Sequence, residues 1–200
     1  MVREAPAAED VQTLWASLPP APAPVARPYL IVVSGLPGSG KSTFSRHLAQ
    51  RIPVLPLESD ALRKTLFGTP TYSLAESARL FRAIHTLIED LLKKGIPVLL
   101  DATNLQEAHR EPLYALAERH RVPLILVWVE AAEEVVYQRL QRRARREDPT
   151  DNSDATWEVY QRMRATAERP HRPHFVVDTT RDITPVVDKI ARLVRRLSRI

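Results

Sequence analysis

The segment Gly35-Leu36-Pro37-Gly38-Ser39-Gly40-Lys41-Ser42 fills every fixed position of the phosphate-binding pattern G-x-x-x-x-G-K-[ST]. Glycines let backbone N–H groups turn inward around phosphate oxygens. A helix starting at Lys41 adds the partial positive charge of its N-terminus. The pattern assigns Gly35, Pro37, Gly38, Ser39, Gly40, Lys41, Ser42 and Thr43 to the binding of ATP. Lys41 is expected to reach the β- and γ-phosphates, and Ser42 to ligate Mg²⁺. A magnesium ion at such a loop also calls for a carboxylate. Asp101 ends the apolar run Pro97-Val98-Leu99-Leu100, and strand ends of an open α/β sheet face the ligand. Asp101 is therefore the candidate second metal ligand, direct or through water. Ala102 follows it, where motor ATPases commonly place a water-activating Glu, so hydrolysis is not the expected main task. The sequence carries no Asn-Lys-x-Asp guanine motif.

Two further groups have types and spacings suited to phosphoryl transfer. Asp60 and Arg63 stand at i and i+3 at the start of a helical segment. The pair reads in two ways: as a proton acceptor with a substrate-holding arginine, or as an N-terminal acid forming a helical ion pair. An ionised Asp is a weak base, but positioning outweighs basicity in a loose phosphoryl transition state. Arg139, Arg142, Arg143, Arg145 and Arg146 crowd one helix end, with Arg139 and Arg143 at i and i+4. The polar, Pro-containing stretch from Glu147 to Asp154 follows. This arrangement predicts a lid over about residues 141–154, carrying arginines onto the triphosphate. Arg192, Arg195, Arg196 and Arg199 read as a solvated helix face.

The surrounding pattern must hold these groups. Apolar runs at 29–34, 54–57, 97–101, 123–129 and 174–178 read as five strands. Helical patterns lie between them, at about 41–51, 73–94, 104–120, 132–146, 154–168 and 184–198. Asn104 and Glu107 have the spacing of a capping box. Strands alternating with helices imply an α/β fold, a parallel sheet covered on both faces. Residues 1–28 read as an N-terminal extension. In it Val11, Leu14, Trp15 and Leu18 have helical spacing, and the Pro/Ala run 19–24 forms an extended linker. The remainder, 29–200, reads as one domain.

Composition narrows the class. The 200 residues include no Cys, which excludes disulfides and thiolate metal sites. No run approaches the length of a membrane span, and the N-terminus lacks a secretory pattern, so the cytoplasm is the expected location. The net charge of +5 suits a polyphosphate or nucleic-acid ligand.

These motifs together resemble the 5′-polynucleotide kinase group of P-loop kinases, within a wider family of zeta-toxin-like and small-molecule kinases. The resemblance covers about residues 29–180. Its carriers beyond the loop are Asp60-x-x-Arg63, Asp101-Ala102-Thr103-Asn104-Leu105, Arg110, and the Arg139/Arg143 spacing. It implies a P-loop kinase fold, with Asp60 as general base and Arg63 on the acceptor phosphate. The implied activity is transfer of the ATP γ-phosphate to the 5′-hydroxyl end of a polynucleotide. A small hydroxylated acceptor such as a sugar, nucleoside or antibiotic is the alternative, and a nucleotide-binding regulator is a third reading that Asp60 disfavours. A neutral acceptor would leave Arg63 without an anionic partner, which favours the polynucleotide on sequence grounds.

Overall fold

The computed structural model describes residues 7–145 and 153–197. Its centre is a five-stranded sheet in the order β2-β3-β1-β4-β5, formed by β1 (Leu30–Ser34), β2 (Leu55–Glu58), β3 (Val98–Asp101), β4 (Leu124–Glu130) and β5 (Phe175–Asp178). Every neighbouring pair is parallel. The register sets Val33 beside Asp101, and Asp101 beside Glu58.

The pleat decides which layer each strand residue joins. Successive side chains of a strand point to opposite faces. Leu30 and Val32 of β1 accordingly enter the core on one face, and Ile31 and Val33 the core on the other. The first face is covered by α4 (Leu74–Lys93) and α5 (Glu107–Arg119), and the second by α2 (Lys41–Ala49) and α8 (Thr184–Leu197). Along α4 the residues Leu80, Ile84, Leu87, Ile88 and Leu91 are fully buried, the stripe its 3.6-residue period predicts. Each such burial contributes about 1.5–3 kcal/mol.

Two local findings differ from the sequence pattern, the packing of the N-terminal segment and the cap of α5. The segment ahead of residue 29 carries α1 (Ala7–Ala16), whose Val11 and Leu14 join the first core. Asp10 in α1 accepts two hydrogen bonds from Arg79 of α4, both 2.7 Å, which fixes the helix against the domain. A short helix α3 (Ser59–Phe67) follows β2 directly. The capping box expected at Asn104 does not form. Gln106 is the N-cap of α5 and makes no side-chain cap; the Glu107 N–H donates to Glu168 Oε2 at 3.0 Å, and the Glu107 carboxylate accepts from Arg110 at 3.0 and 2.7 Å. Arg110 is fully buried and also donates to the carbonyls of Asn104 and Glu168, at 2.5 and 3.0 Å. It thus ties the loop after β3 to the chain entering β5. A side-chain cap is found instead at Ser73, which accepts from the Glu76 N–H at the start of α4. Two more helices, α6 (Glu133–Ala144) and α7 (Trp157–Arg164), complete the described chain. Residues 146–152 of the expected lid lie outside the described residues, as does Arg199.

Candidate active site

The phosphate-binding loop links β1 to α2 at the carboxyl edge of the sheet. Two glycines are required there for different reasons. A Cβ on Gly35 would stand 2.2 Å from the Val129 carbonyl oxygen, so β4 leaves no room for a side chain. Gly40, at φ 93°, holds the left-handed turn into α2, and a Cβ there would meet the Thr179 side chain at 2.9 Å. The Gly35 N–H donates to the Thr103 carbonyl at 3.2 Å, fastening the loop to the chain after β3. The Lys41 ammonium donates to the Leu36 carbonyl at 3.1 Å, across the mouth of its own loop.

A cavity of about 210 Å³ opens beside this loop. Pro37, Gly38, Gly40, Lys41, Ser42 and Thr43 line it from the loop side, whereas Ser39 is buried behind the wall and Gly35 lies outside the lining. The same cavity is also lined by Glu58, Asp60, Asp101 and Thr103. Parallel pairing explains the gathering: β2 and β3 end side by side, with Glu58 beside Asp101, and α3 starts at once to present Asp60. Glu58 was not singled out in the sequence. Its signal is its position as the last residue of a strand next to the Asp101 strand.

Asp101 is 5% exposed, and its Oδ2 has no hydrogen-bond partner among the described residues. Burial raises its pKa, opposed by the Lys41 charge and by Ser42. A buried carboxylate oxygen beside a serine hydroxyl fits a hard cation, which takes oxygen ligands. Among the described residues no group of three or more His, Cys, Asp or Glu is placed to hold a metal ion by itself.

The two lid arginines take different places. Arg139 donates to the Gly38 carbonyl at 3.2 Å, to the Thr179 hydroxyl at 2.8 Å and to the Thr179 carbonyl at 3.0 Å. Thr179 in turn donates to the Ser39 carbonyl at 2.6 Å. The loop is thus braced from behind by a residue just past β5, which the sequence reading missed. Its signal is the same as for Asp101: it follows the carboxyl end of a strand. Burial lowers the Arg139 pKa, against the pull of Asp178. Arg143 lines the loop cavity and also an adjacent one of about 440 Å³, shared with His47, Arg142 and Arg181.

Arg63 does not line the phosphate cavity. It is 7% exposed and donates to Glu76 Oε1 at 2.5 Å. Of the two sequence readings of the pair, a helical ion pair with Asp60 is not what forms: the counter-ion of Arg63 comes from α4, and Asp60 lines the cavity.

The geometry agrees with known proteins. Residues 30–170 match the AAA domain family (AAA_33). An adenylyl-sulfate kinase of Myxococcus xanthus is 30% identical over 115 residues, 56% of this chain and 62% of that protein. The chain thus spans under two thirds of that relative's length. A shikimate kinase of Nitrobacter winogradskyi is 28% identical over 174 residues, 84% of this chain and 78% of that protein. The crystal structure of Chaetomium thermophilum Kti12 in complex with ADP-AlF3 superposes with a TM-score of 0.67 at 21% identity, over 84% of this chain and 97% of that one. That likeness shows the fold. Among the described residues no helix is long and apolar enough to cross a membrane. With the loop, the five-stranded parallel sheet and the matched span in agreement, the chain belongs to the AAA domain family and has the P-loop kinase fold.

Proposed function

We propose that this protein is a kinase that transfers the γ-phosphate of ATP to a hydroxyl group of a small molecule. The observation that carries the reading is one cavity lined both by the phosphate loop and by Asp60. A triphosphate held by Lys41 and Ser42 would share that cavity with Asp60. The acceptor oxygen attacks phosphorus, the bond to the β,γ-bridging oxygen breaks, and ADP leaves. Asp60 takes the proton of the acceptor hydroxyl. Lys41 and Arg143 offset charge on the transferred group, and Arg139, through Gly38 and Thr179, keeps the loop in shape. Ser42 and Asp101 would hold Mg²⁺, which screens the phosphate charge when bound. The names of the two kinase relatives point to acceptors of this size. The cytoplasm is the location that fits this use of ATP.

The acceptor class turns on Arg63. On sequence grounds a neutral acceptor would leave Arg63 without an anionic partner. Glu76 now fills that place, so a neutral acceptor leaves no buried charge unpaired. A second reading is the 5′-hydroxyl end of a polynucleotide. It is favoured by the net charge of +5 and by the Arg63 Nε–H, which has no acceptor among the described residues. Labelled γ-phosphate offered with sugars, nucleosides, other small alcohols and 5′-hydroxyl oligonucleotides decides between them. Label on a small alcohol but no oligonucleotide is the expected result. Label on oligonucleotides alone overturns the first reading, and label on no acceptor overturns both.

A further inference from the structure

The loop between α3 and α4 holds Tyr72 at φ 55°, a left-handed conformation that bulky residues rarely adopt. Glu76 imposes it. Its carboxylate accepts the Tyr72 N–H at 3.2 Å, and the Thr71 N–H and hydroxyl at 2.7 Å each. Burial raises the Glu76 pKa, but these donors and Arg63 outweigh it and hold the carboxyl down to about 2. The ring is fixed from two more sides. The Arg63 guanidinium lies over one face, 5.0 Å from the centroid. The phenol donates to Asp154 Oδ2 at 2.7 Å, while Lys64 holds the other carboxylate oxygen at 3.3 Å. With one face and the hydroxyl engaged, Tyr72 remains 47% exposed. Local strain maintained by surrounding contacts is found at ligand clamps.

Tyr72 does not itself line the phosphate cavity, but its two partners adjoin residues that do. Asp154 follows Ser153, which lines the cavity, and Arg63 lies one helical turn beyond Asp60, which also lines it. Burial, then Asp154 and Asp60, raise the phenol pKa, so the Asp60 charge acts on this ring.

We propose that Tyr72 is a specificity-determining residue for the acceptor. Its uncovered face is the platform on which a ring of the acceptor lies, while a hydroxyl of the same molecule reaches Asp60. The acceptor class is then a cyclic alcohol, such as a sugar, a cyclitol or a nucleoside, and not an acyclic one. The inference rests on the kinase reading above. An aromatic face gives the C–H face of a saturated ring apolar area to bury, and gives a nucleobase offset stacking as well. Arg63 beneath the ring fixes its plane before the acceptor arrives, which lowers the ordering cost on binding.

The test compares the wild-type chain with Tyr72→Gly and Tyr72→Phe, on cyclic and acyclic alcohols of equal charge. Glycine accepts φ 55° without strain, so the ring is removed without forcing the backbone. The wild type is expected to favour cyclic acceptors by about tenfold in kcat/KM, the scale of one aromatic contact. Tyr72→Gly is expected to raise KM for the cyclic acceptor about tenfold, with KM for ATP changed less than about twofold. Tyr72→Phe keeps the platform and is expected to stay within about threefold of the wild-type KM. An unchanged KM in Tyr72→Gly overturns the proposal, and so does a Tyr72→Phe variant as impaired as Tyr72→Gly, which would assign the effect to the Asp154 contact. In both cases transfer persists and the kinase reading stands. If the wild type binds ATP but phosphorylates no alcohol, the kinase reading fails and the proposal fails with it.

Discussion

The Thr179 hydroxyl donates to the Ser39 carbonyl at 2.6 Å and accepts from Arg139 at 2.8 Å, so one hydroxyl joins α6 and the end of β5 to the phosphate loop. Removing it breaks both contacts at once. Thr179→Val keeps the volume and deletes the hydroxyl. It is expected to weaken ATP binding about fivefold to tenfold, from about 0.5–0.7 kcal/mol for each of the two lost hydrogen bonds. Arg139→Ala should weaken it similarly, and the double variant by less than the product of the two, because they share one network. Calorimetric titration with an ATP analogue reads all three. Full additivity would count against the brace.

Lys41→Ala removes the cation of the loop. Phosphoryl transfer is expected to fall by at least about a hundredfold, as for other groups that stabilise transition-state charge. Single-turnover transfer of labelled phosphate measures it. Unchanged turnover would remove the loop from the reaction.

Asp60→Asn keeps the shape and removes the proton acceptor. A drop in kcat of about 10² to 10⁴-fold is expected, with ATP affinity within about twofold of the wild type. Asp60 lines the cavity from α3 and is not part of the loop, which is why the two effects should separate. A parallel loss of ATP affinity would move Asp60 into the nucleotide or metal site.

Glu76 couples folding to acid. Its carboxyl is held at about 2, below the ordinary 4.5, because its donors outweigh its burial. The unfolded chain therefore binds the proton more readily, and stability falls as pH drops from about 4.5 toward 2. At neutral pH the contribution is fully present. In Glu76→Gln this part of the acid-side slope is expected to disappear, and the melting temperature at pH 7 to fall by several degrees, since Arg63 is left buried without its counter-ion. Thermal melts from pH 7 to pH 2.5 check both. An unchanged slope would show that other carboxylates dominate acid unfolding.

Some of this protein was legible from the sequence alone. The loop from Gly35 to Ser42 works through backbone groups in consecutive positions, so its chemistry is written in local order. The strands and the long helix α4 were legible because burial repeats with period 2 or 3.6 along the chain. Asp101 was legible as the end of a strand, and Asp60 as the start of a helix just after one. The tertiary structure decided the rest. Arg63 finds Glu76 thirteen positions later, and Arg139 finds Thr179 forty later, separations at which spacing carries no information. Leu14 looked like part of an appendage because its helix is short and followed by prolines, yet it is fully buried against the domain. The cap expected at Asn104 gave way because both halves of Glu107 find other partners: its carboxylate is the counter-charge of the buried Arg110, and its N–H donates to Glu168, 61 positions later. Charges and hydroxyls choose partners by proximity in the folded chain, and only the packing of the layers sets that proximity.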